Sequence, residues 1–333
     1  MTFSCSRWSS WPEFLYDCTI EDLHNKLGAS ALIHVKGAQE PPLFISTLLH
    51  GNEHSGFLGL QNLMRNLKGK QLPRSIIIFL GNLKAAQKNK RHLKNQVDYN
   101  RIWADFHGPE KSMVDEVFGI IKEEKPLIAI DIHNNTGKNP HYSCISSMDS
   151  SFQSLASLFS RTAVYFTEPH EALSVALTPH LPSITIECGL SREARGIKHI
   201  EEYINACLHM WDPIHQKVPA GDIQVFETIG RIRIPSHCEV SFNDKEKAPL
   251  QLRPDLDSLN FTPLEPGTVL GHYEGNELPF LLDLSLDTKS ADNFFRFRDG
   301  RIEVNQPWIP SMFTKDQEVL HHDCLGYIMR EKK

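Results

Sequence analysis

The sequence lacks the features that mark membrane, secreted and nucleic-acid-binding chains. In its 333 residues no apolar run approaches the roughly 20 residues a membrane span needs. No block of lysine and arginine occurs, and 35 basic against 41 acidic residues leave a formal net charge of −6. Nucleic acid and membrane are therefore not expected partners. The N-terminus, Met-Thr-Phe-Ser-Cys-Ser-Arg-Trp, has no basic stretch followed by an apolar one, so a secretory leader is not expected. The seven cysteines are scattered, odd in number and free of any C-x-x-C pair. That pattern suits reduced thiols, and a cytoplasmic location is expected. Internal repeats and low-complexity segments are also absent.

What remains is an ordinary globular composition, 40% hydrophobic and 23% charged. The length allows a large core and two domains. Through residue 211 short apolar runs alternate with helical patterns. Strands are expected at 31–37, 42–49, 75–80, 127–132, 142–146, 164–167 and 183–186. Helices are expected from about Ser55 to Leu67, around Val114–Ile121, and over the spacing Ile197, Ile200, Ile204, Leu208 and Trp211. This alternation implies an α/β domain, residues 1–215, with a largely parallel sheet. After Pro213 short alternating runs (223–226, 231–234, 268–273, 278–284) are separated by turn residues. They imply a smaller C-terminal β-domain, residues 216–333.

The most informative stretch is His50-Gly51-Asn52-Glu53, directly after the apolar run Pro42–Leu49. An imidazole and a carboxylate three residues apart at a strand's end can bind one zinc ion from a single tight turn, at roughly 2.0–2.2 Å. Gly51 is expected to let the backbone turn sharply. Two further polar residues close apolar strands: His133 after Leu127–Ile132, and Glu187 after Ser183–Ile186. Ligands in open α/β sheets bind at the carboxyl ends of strands, so these groups are expected to converge. His133 completes a His₂Glu set with an open fourth position. Asp131, two residues earlier on the same strand face, is placed to orient a ligand histidine. Glu187 is the expected general base beside a zinc-activated water. The long polar segment 83–108 holds Arg91, Asp98, Asn100 and Arg101. Asn100-Arg101 offers an amide beside a guanidinium fork, a suitable clamp for a substrate carboxylate; Arg91 is placed to bind a second carboxylate or stabilise an oxyanion.

The order His-Gly-Asn-Glu, Asp-Tyr-Asn-Arg, Asp-Ile-His-Asn-Asn, Ile-Glu-Cys-Gly resembles the succinylglutamate desuccinylase/aspartoacylase family, a branch of the zinc carboxypeptidase superfamily. The resemblance spans residues about 43–211. It extends to Leu259-Asn260-Phe261-Thr262-Pro263 and Pro266-Gly267-Thr268-Val269-Leu270, which look like the desuccinylases' C-terminal segment. It implies a carboxypeptidase-like α/β/α domain with a mixed, largely parallel sheet plus the β-domain. It implies one zinc on His50, Glu53 and His133, Glu187 as catalytic carboxylate, and Asn100, Arg101 and Asn134 in substrate binding. The implied reaction hydrolyses a small N-acyl amino acid to a carboxylate and an amine.

The chain departs from the family at several points. Arg91 is the best match for the family's upstream arginine, but lies two residues further from Asn100 than expected, so Lys90 or Arg101 alone stays open. Where aspartoacylases carry an arginine about ten residues before the catalytic glutamate, this chain has Leu177. Arg192 and Arg195 are candidate replacements for that charge. Tyr273 is a weak match to a C-terminal tyrosine of some members, and His141 is a candidate pocket residue. His321-His322 is not expected to form a site, because adjacent residues on a strand face opposite ways. A metallocarboxypeptidase trimming peptides, and a noncatalytic binding protein on the same scaffold, are the alternative functions. A homo-oligomer is left open.

Overall fold

The computed structural model describes residues 4–210, 217–219, 221–243, 245–284 and 293–332. Contacts divide the chain into two units, one of residues 1–134 and 141–224, the other of residues 135–140 and 225–333. The expected boundary at 215/216, and Trp211 of the last expected helix, lie outside the described residues.

The first unit is built on strands β1 (Ser6–Trp8), β2 (Ala31–Val35), β3 (Gly37–Thr47), β4 (Leu72–Leu80), β5 (Ile128–Asn135), β6 (Tyr142–Ile145), β7 (Thr162–Tyr165) and β8 (Ser183–Leu190). They lie in the order β1-β2-β4-β3-β5-β8-β6-β7. The pairs β1·β2, β3·β4, β3·β5 and β6·β7 are parallel, while β2·β4 and β6·β8 are antiparallel. The sheet is thus mixed and largely parallel. Among the described residues, seven α-helices accompany it: α1 (Leu23–Leu27), α2 (Ser55–Asn66), α3 (Leu83–Ala86), α4 (Lys111–Glu124), α5 (Ser150–Phe159), α6 (Leu173–Leu177) and α7 (Ala194–Leu208).

The central strands read as near-continuous apolar runs because both faces are covered. Alternation along each strand then sorts their side chains. Phe44, Ile77, Phe79 and Ala129 share one core with Val114, Val117 and Ile121 of α4 and Leu173 and Leu177 of α6. On the opposite face Gly56 of α2 rests on Thr47 and Ile132. Helix α7 buries Ile200, Tyr203, Ile204, Cys207 and Leu208 at three- and four-residue spacing. Its Tyr203 hydroxyl donates to the Leu155 carbonyl of α5 at 3.2 Å.

The second unit contains β9 (Gln224–Arg233), β10 (Val240–Ser241), β11 (Leu250–Leu252), β12 (Val269–Tyr273), β13 (Leu281–Leu284), β14 (Phe295–Arg298), β15 (Arg301–Val304), β16 (Ile309–Ser311), α8 (Gln317–His322) and β17 (Gly326–Glu331). One sheet has the order β10-β11-β12-β15-β14; the other joins β13, β9, β17 and β16. A core containing Ile232, Leu250, Phe295, Ile302, Trp308, Phe313 and Ile328 holds this unit together. The segment 135–140 belongs to it. The buried Asn260 side chain donates to the Lys138 carbonyl at 3.3 Å and accepts from Phe313 N–H at 2.8 Å.

Several expectations need correction. The runs 223–226 and 231–234 are one strand, β9, because β17 pairs with it from Phe226 to Ile232 and carries it past the polar interruption. Neither His133 nor Glu187 is the last residue of its strand: β5 continues to Asn135 and β8 to Leu190. Helix α5, absent from the expected elements, is serine-rich but buries Phe152, Leu155, Ala156 and Phe159 at three- and four-residue spacing. His321 and His322 close helix α8, not a strand. No helix among the described residues is long and apolar enough to cross a membrane.

Candidate metal and catalytic site

The site begins where β3 stops. Leu48 adopts φ 58°, a left-handed conformation that redirects the chain before His50. Gly51 N–H donates to Arg91 O at 3.0 Å and Glu53 N–H to His50 O at 3.1 Å, closing the turn. Gly51 is required here by close approach, not by a positive φ. A Cβ on it would lie 2.2 Å from Ala86 N and 2.6 Å from Lys90 O. The sharp bend expected of this glycine falls to Leu48 instead.

Glu53 projects from the turn between two imidazoles. Its Oε1 lies 2.7 Å from His50 Nδ1 and its Oε2 2.8 Å from His133 Nδ1, and Oε2 also accepts Asn134 N–H at 3.1 Å. The far nitrogens are held as well: His50 Nε2 lies 3.1 Å from Asp98 Oδ1, and His133 Nε2 2.8 Å from Asp131 Oδ2. A carboxylate only accepts, and each ring has one at both nitrogens; a metal ion taking the two Nδ1 atoms would leave each ring its proton on Nε2, toward Asp98 or Asp131. All three residues are buried, between 3% and 8% exposed. Burial opposes charge on Glu53, yet the two imidazoles outweigh it and hold the carboxyl well below its usual range. Burial likewise opposes charge on His133, but Asp131 and Glu53 raise it well above the ordinary imidazole value.

One donor atom from each of His50, Glu53 and His133 lies within 4.8 Å of the others, the one such group found among the described residues. Two imidazole nitrogens and a carboxylate suit Zn²⁺, and three protein donors leave a fourth position open. With an ion on the two Nδ1 atoms, the carboxylates behind the rings would hold each proton on Nε2. The donor set therefore fits a zinc ion.

Glu187 lies on β8, which neighbours β5 in the sheet, and is 5% exposed. Burial pushes its carboxyl up to about 7, and it senses the charges of His133, Glu53, His50 and Asp131. It thus belongs to the same cluster.

The segment expected to clamp substrate is largely occupied with holding the site. Arg91 donates through Nε and Nη2 to Asp98 Oδ2 at 3.1 and 2.9 Å, while Asp98 Oδ1 faces His50. Burial opposes charge on Asp98, but His50, Arg91 and Arg101 hold its carboxyl well below the usual range. Asp98, quoted in the motif but given no role from sequence, is thus the carboxylate behind His50. The only signal for it was its place two residues before Asn100. Asn100 accepts Leu173 N–H on its side-chain oxygen at 3.0 Å, and Arg101 Nη1 donates to the Asn100 carbonyl at 2.8 Å. Asn134 spends both ends of its amide inside the protein: Oδ1 accepts Ser55 N–H at 3.1 Å and Nδ2 donates to Gly189 O at 3.0 Å.

The remaining candidates fall elsewhere. Leu177 is 1% exposed in the core beneath α6, so no charge replaces the expected arginine at that position. Arg192 is engaged by Glu21 and His54, and Arg195 and Lys90 are exposed. His141 stacks on His199 with centroids 5.0 Å apart, and burial lowers it to about 4. Tyr273 packs beside Phe297 within the second unit.

Residues 39–195 match the model of the succinylglutamate desuccinylase/aspartoacylase catalytic domain. Over these residues, just under half of its length, the chain is similar to that family's catalytic domain. The match encloses every candidate metal, catalytic and clamp residue, from His50 to Glu187. Solved structures agree in fold at low identity. A succinylglutamate desuccinylase from Vibrio parahaemolyticus is 14% identical, with a TM-score of 0.61 over 98% of this chain and 97% of that one. Murine aminoacylase 3 is 14% identical, with a TM-score of 0.58 over 89% and 97% of the two chains. A succinylglutamate desuccinylase/aspartoacylase from Rhodobacter sphaeroides is 14% identical, with a TM-score of 0.57 over 90% and 88%. No curated protein matches the chain by sequence.

Two predictions follow from the geometry of this turn. Gly51→Ala drives a methyl into the Ala85–Ala86 backbone and is expected to cost about 3 kcal/mol, measured by denaturant unfolding. Asp98→Ala and Asp131→Ala each remove the acceptor behind one imidazole. Each is expected to weaken zinc binding about 10–100-fold in a chelator competition.

Proposed function

We propose that the protein is a zinc-dependent amidohydrolase that removes the acyl group from a small N-acyl amino acid. The observation that carries this reading is the buried group of His50, Glu53 and His133, with the Glu187 carboxyl close enough to sense its charges. The family catalytic domain supports it, as does fold similarity to proteins named as succinylglutamate desuccinylases and an aminoacylase.

Bound by this triad, zinc supplies Lewis-acid polarisation of the scissile carbonyl and makes water more acidic. Glu187 takes the proton from the attacking water and returns it to the leaving amine nitrogen. An ionising range near neutrality suits a group that must both accept and give up that proton. Burial supplies this tuning, since about 7 lies well above an exposed glutamate. Asp98 and Asp131 hold the two imidazoles in the orientation that presents Nδ1. Arg101, held by its Nη1 on the Asn100 carbonyl, is the cation assigned to the substrate carboxylate. Arg91 acts through Asp98, to which it is bound, and Asn134 acts as a bracket between α2 and β8 and leaves the substrate to other groups.

Glu187→Gln is expected to keep one zinc per chain by elemental analysis while losing about 10²–10⁴-fold in kcat. The wild-type enzyme should lose activity on the acid side, at or below about pH 7, as Glu187 takes up a proton; residual activity of the variant should lack that limb. Wild-type kcat in the variant would sink the assignment. A hydrolysis screen separates the substrate classes: N-acetyl and N-succinyl amino acids should be cleaved, and turnover confined to C-terminal residues of peptides would favour the carboxypeptidase reading.

A further inference from the structure

His54 directly follows the metal turn and is fully buried, at 0% exposure. It precedes α2 as its N-cap residue, yet its side chain makes no cap hydrogen bond to the helix. It reaches back instead: Nε2 donates to the Gly51 carbonyl at 2.8 Å. On its other side, Nδ1 accepts from Arg192 Nε at 2.7 Å. A guanidinium only donates, so Nδ1 must be bare and the proton sits on Nε2. One imidazole therefore spans from inside the His50–Glu53 turn to a residue five positions beyond Glu187.

The backbone repeats this connection. His54 N–H donates to Ser191 Oγ at 3.0 Å, and Arg192 N–H donates to Ser55 Oγ at 3.0 Å. Arg192 holds φ 66°, a left-handed conformation that a residue with a side chain adopts at a cost. Its outer end is anchored by Nη2 on Glu21 at 2.7 Å, where both partners are about half exposed. A buried imidazole is costly unless both nitrogens are bonded, and a leucine would fill the same space without that demand. Here each nitrogen is bonded to one half of the site.

We propose that His54 and Arg192 form a clasp that holds the His50–Glu53 turn in its metal-binding shape and ties it to the strand carrying Glu187. They are positioning residues: neither touches the metal position or the reacting atoms. The proposal rests on the metal reading of the triad for its consequence, but the clasp itself has a readout that needs neither metal nor substrate.

Two substitutions at His54 separate its halves. His54→Gln keeps a donor near the position of Nε2, and His54→Asn keeps an acceptor near Nδ1 but loses the bond to Gly51. Amide hydrogen exchange of the metal-free protein reads the turn directly at Gly51 and Glu53, with Ile77 of β4 as a remote reference. His54→Asn is expected to speed exchange at both turn amides about 10-fold, with Ile77 unchanged, and to weaken zinc binding about 10-fold by chelator competition. His54→Gln should restore both readouts most of the way. Arg192→Ala, made on a half-exposed side chain and so safe for folding, should accelerate the same two amides to a smaller degree. Wild-type exchange at Gly51 and Glu53 in both the Asn and the Ala variant would overturn the clasp. So would uniform acceleration that includes Ile77 with zinc affinity unchanged, which marks a general stabilising role. If the protein takes up no zinc, the proposed function fails while exchange still decides the clasp.

Discussion

The structure depends on one buried carboxylate. Glu53 is 8% exposed and stands with an imidazole nitrogen on each oxygen. A carboxylate removed from water is costly unless its oxygens are satisfied, and much of the neighbourhood serves that need. Asn134 N–H supplies a third donor. The imidazoles in turn are backed by Asp98 and Asp131, and Asp98 is neutralised by the two nitrogens of Arg91. Hydrogen-bonding partners thus run outward from Glu53 through His50 and Asp98 to Arg91. This connection explains why Arg91 belongs to the framework of the site: two of its guanidinium nitrogens are bound to Asp98.

Glu53, His133 and Glu187 come from three places in the sequence. The adjacent strands β5 and β8 carry His133 and Glu187, and the hydrogen-bonded turn that follows β3 carries Glu53. Asn134 then pins the start of α2 to the end of β8 with one amide, through Ser55 N–H and Gly189 O. Residues that present themselves in a motif as substrate ligands therefore serve first as spacers between elements. The buried leucine at position 177 fits the same economy: packed in the core with Phe44 and Leu173, it belongs to the hydrophobic layer under the sheet.

Local pattern made much of this readable. Apolar runs flanked by glycine and polar residues marked the central strands, and three- or four-residue spacing marked α2, α4 and α7, because burial on a strand or a helix face imposes those periods. Other elements escaped. Helix α5 keeps Phe152, Leu155, Ala156 and Phe159 at helical spacing, but four of its ten residues are serine, a modest helix former. In the second unit β10, β11 and β14 to β17 are two to six residues long, and the polar interruption of β9 hid its continuity. Asp131 and His133 could be placed on one face from alternation alone, and they are hydrogen-bonded at 2.8 Å. Asp98 could not, since its partner His50 lies 48 residues away across an irregular segment.

The sequence by itself determined which chemistry is available: two imidazoles, a carboxylate between them and another at the end of an apolar strand, in the order of one enzyme family. Those properties are local, carried by side-chain identity and by periods of two and 3.6 residues. The tertiary structure decided how each group is used. It turned both Nδ1 atoms inward, bound Arg91 to Asp98, closed the Asn134 amide on two backbones, and set His54 between Gly51 and Arg192, the latter 138 residues from His54 in sequence. Each of these is a directed hydrogen bond that buried groups must make with whatever the fold brings alongside, and no local pattern records what that neighbour will be.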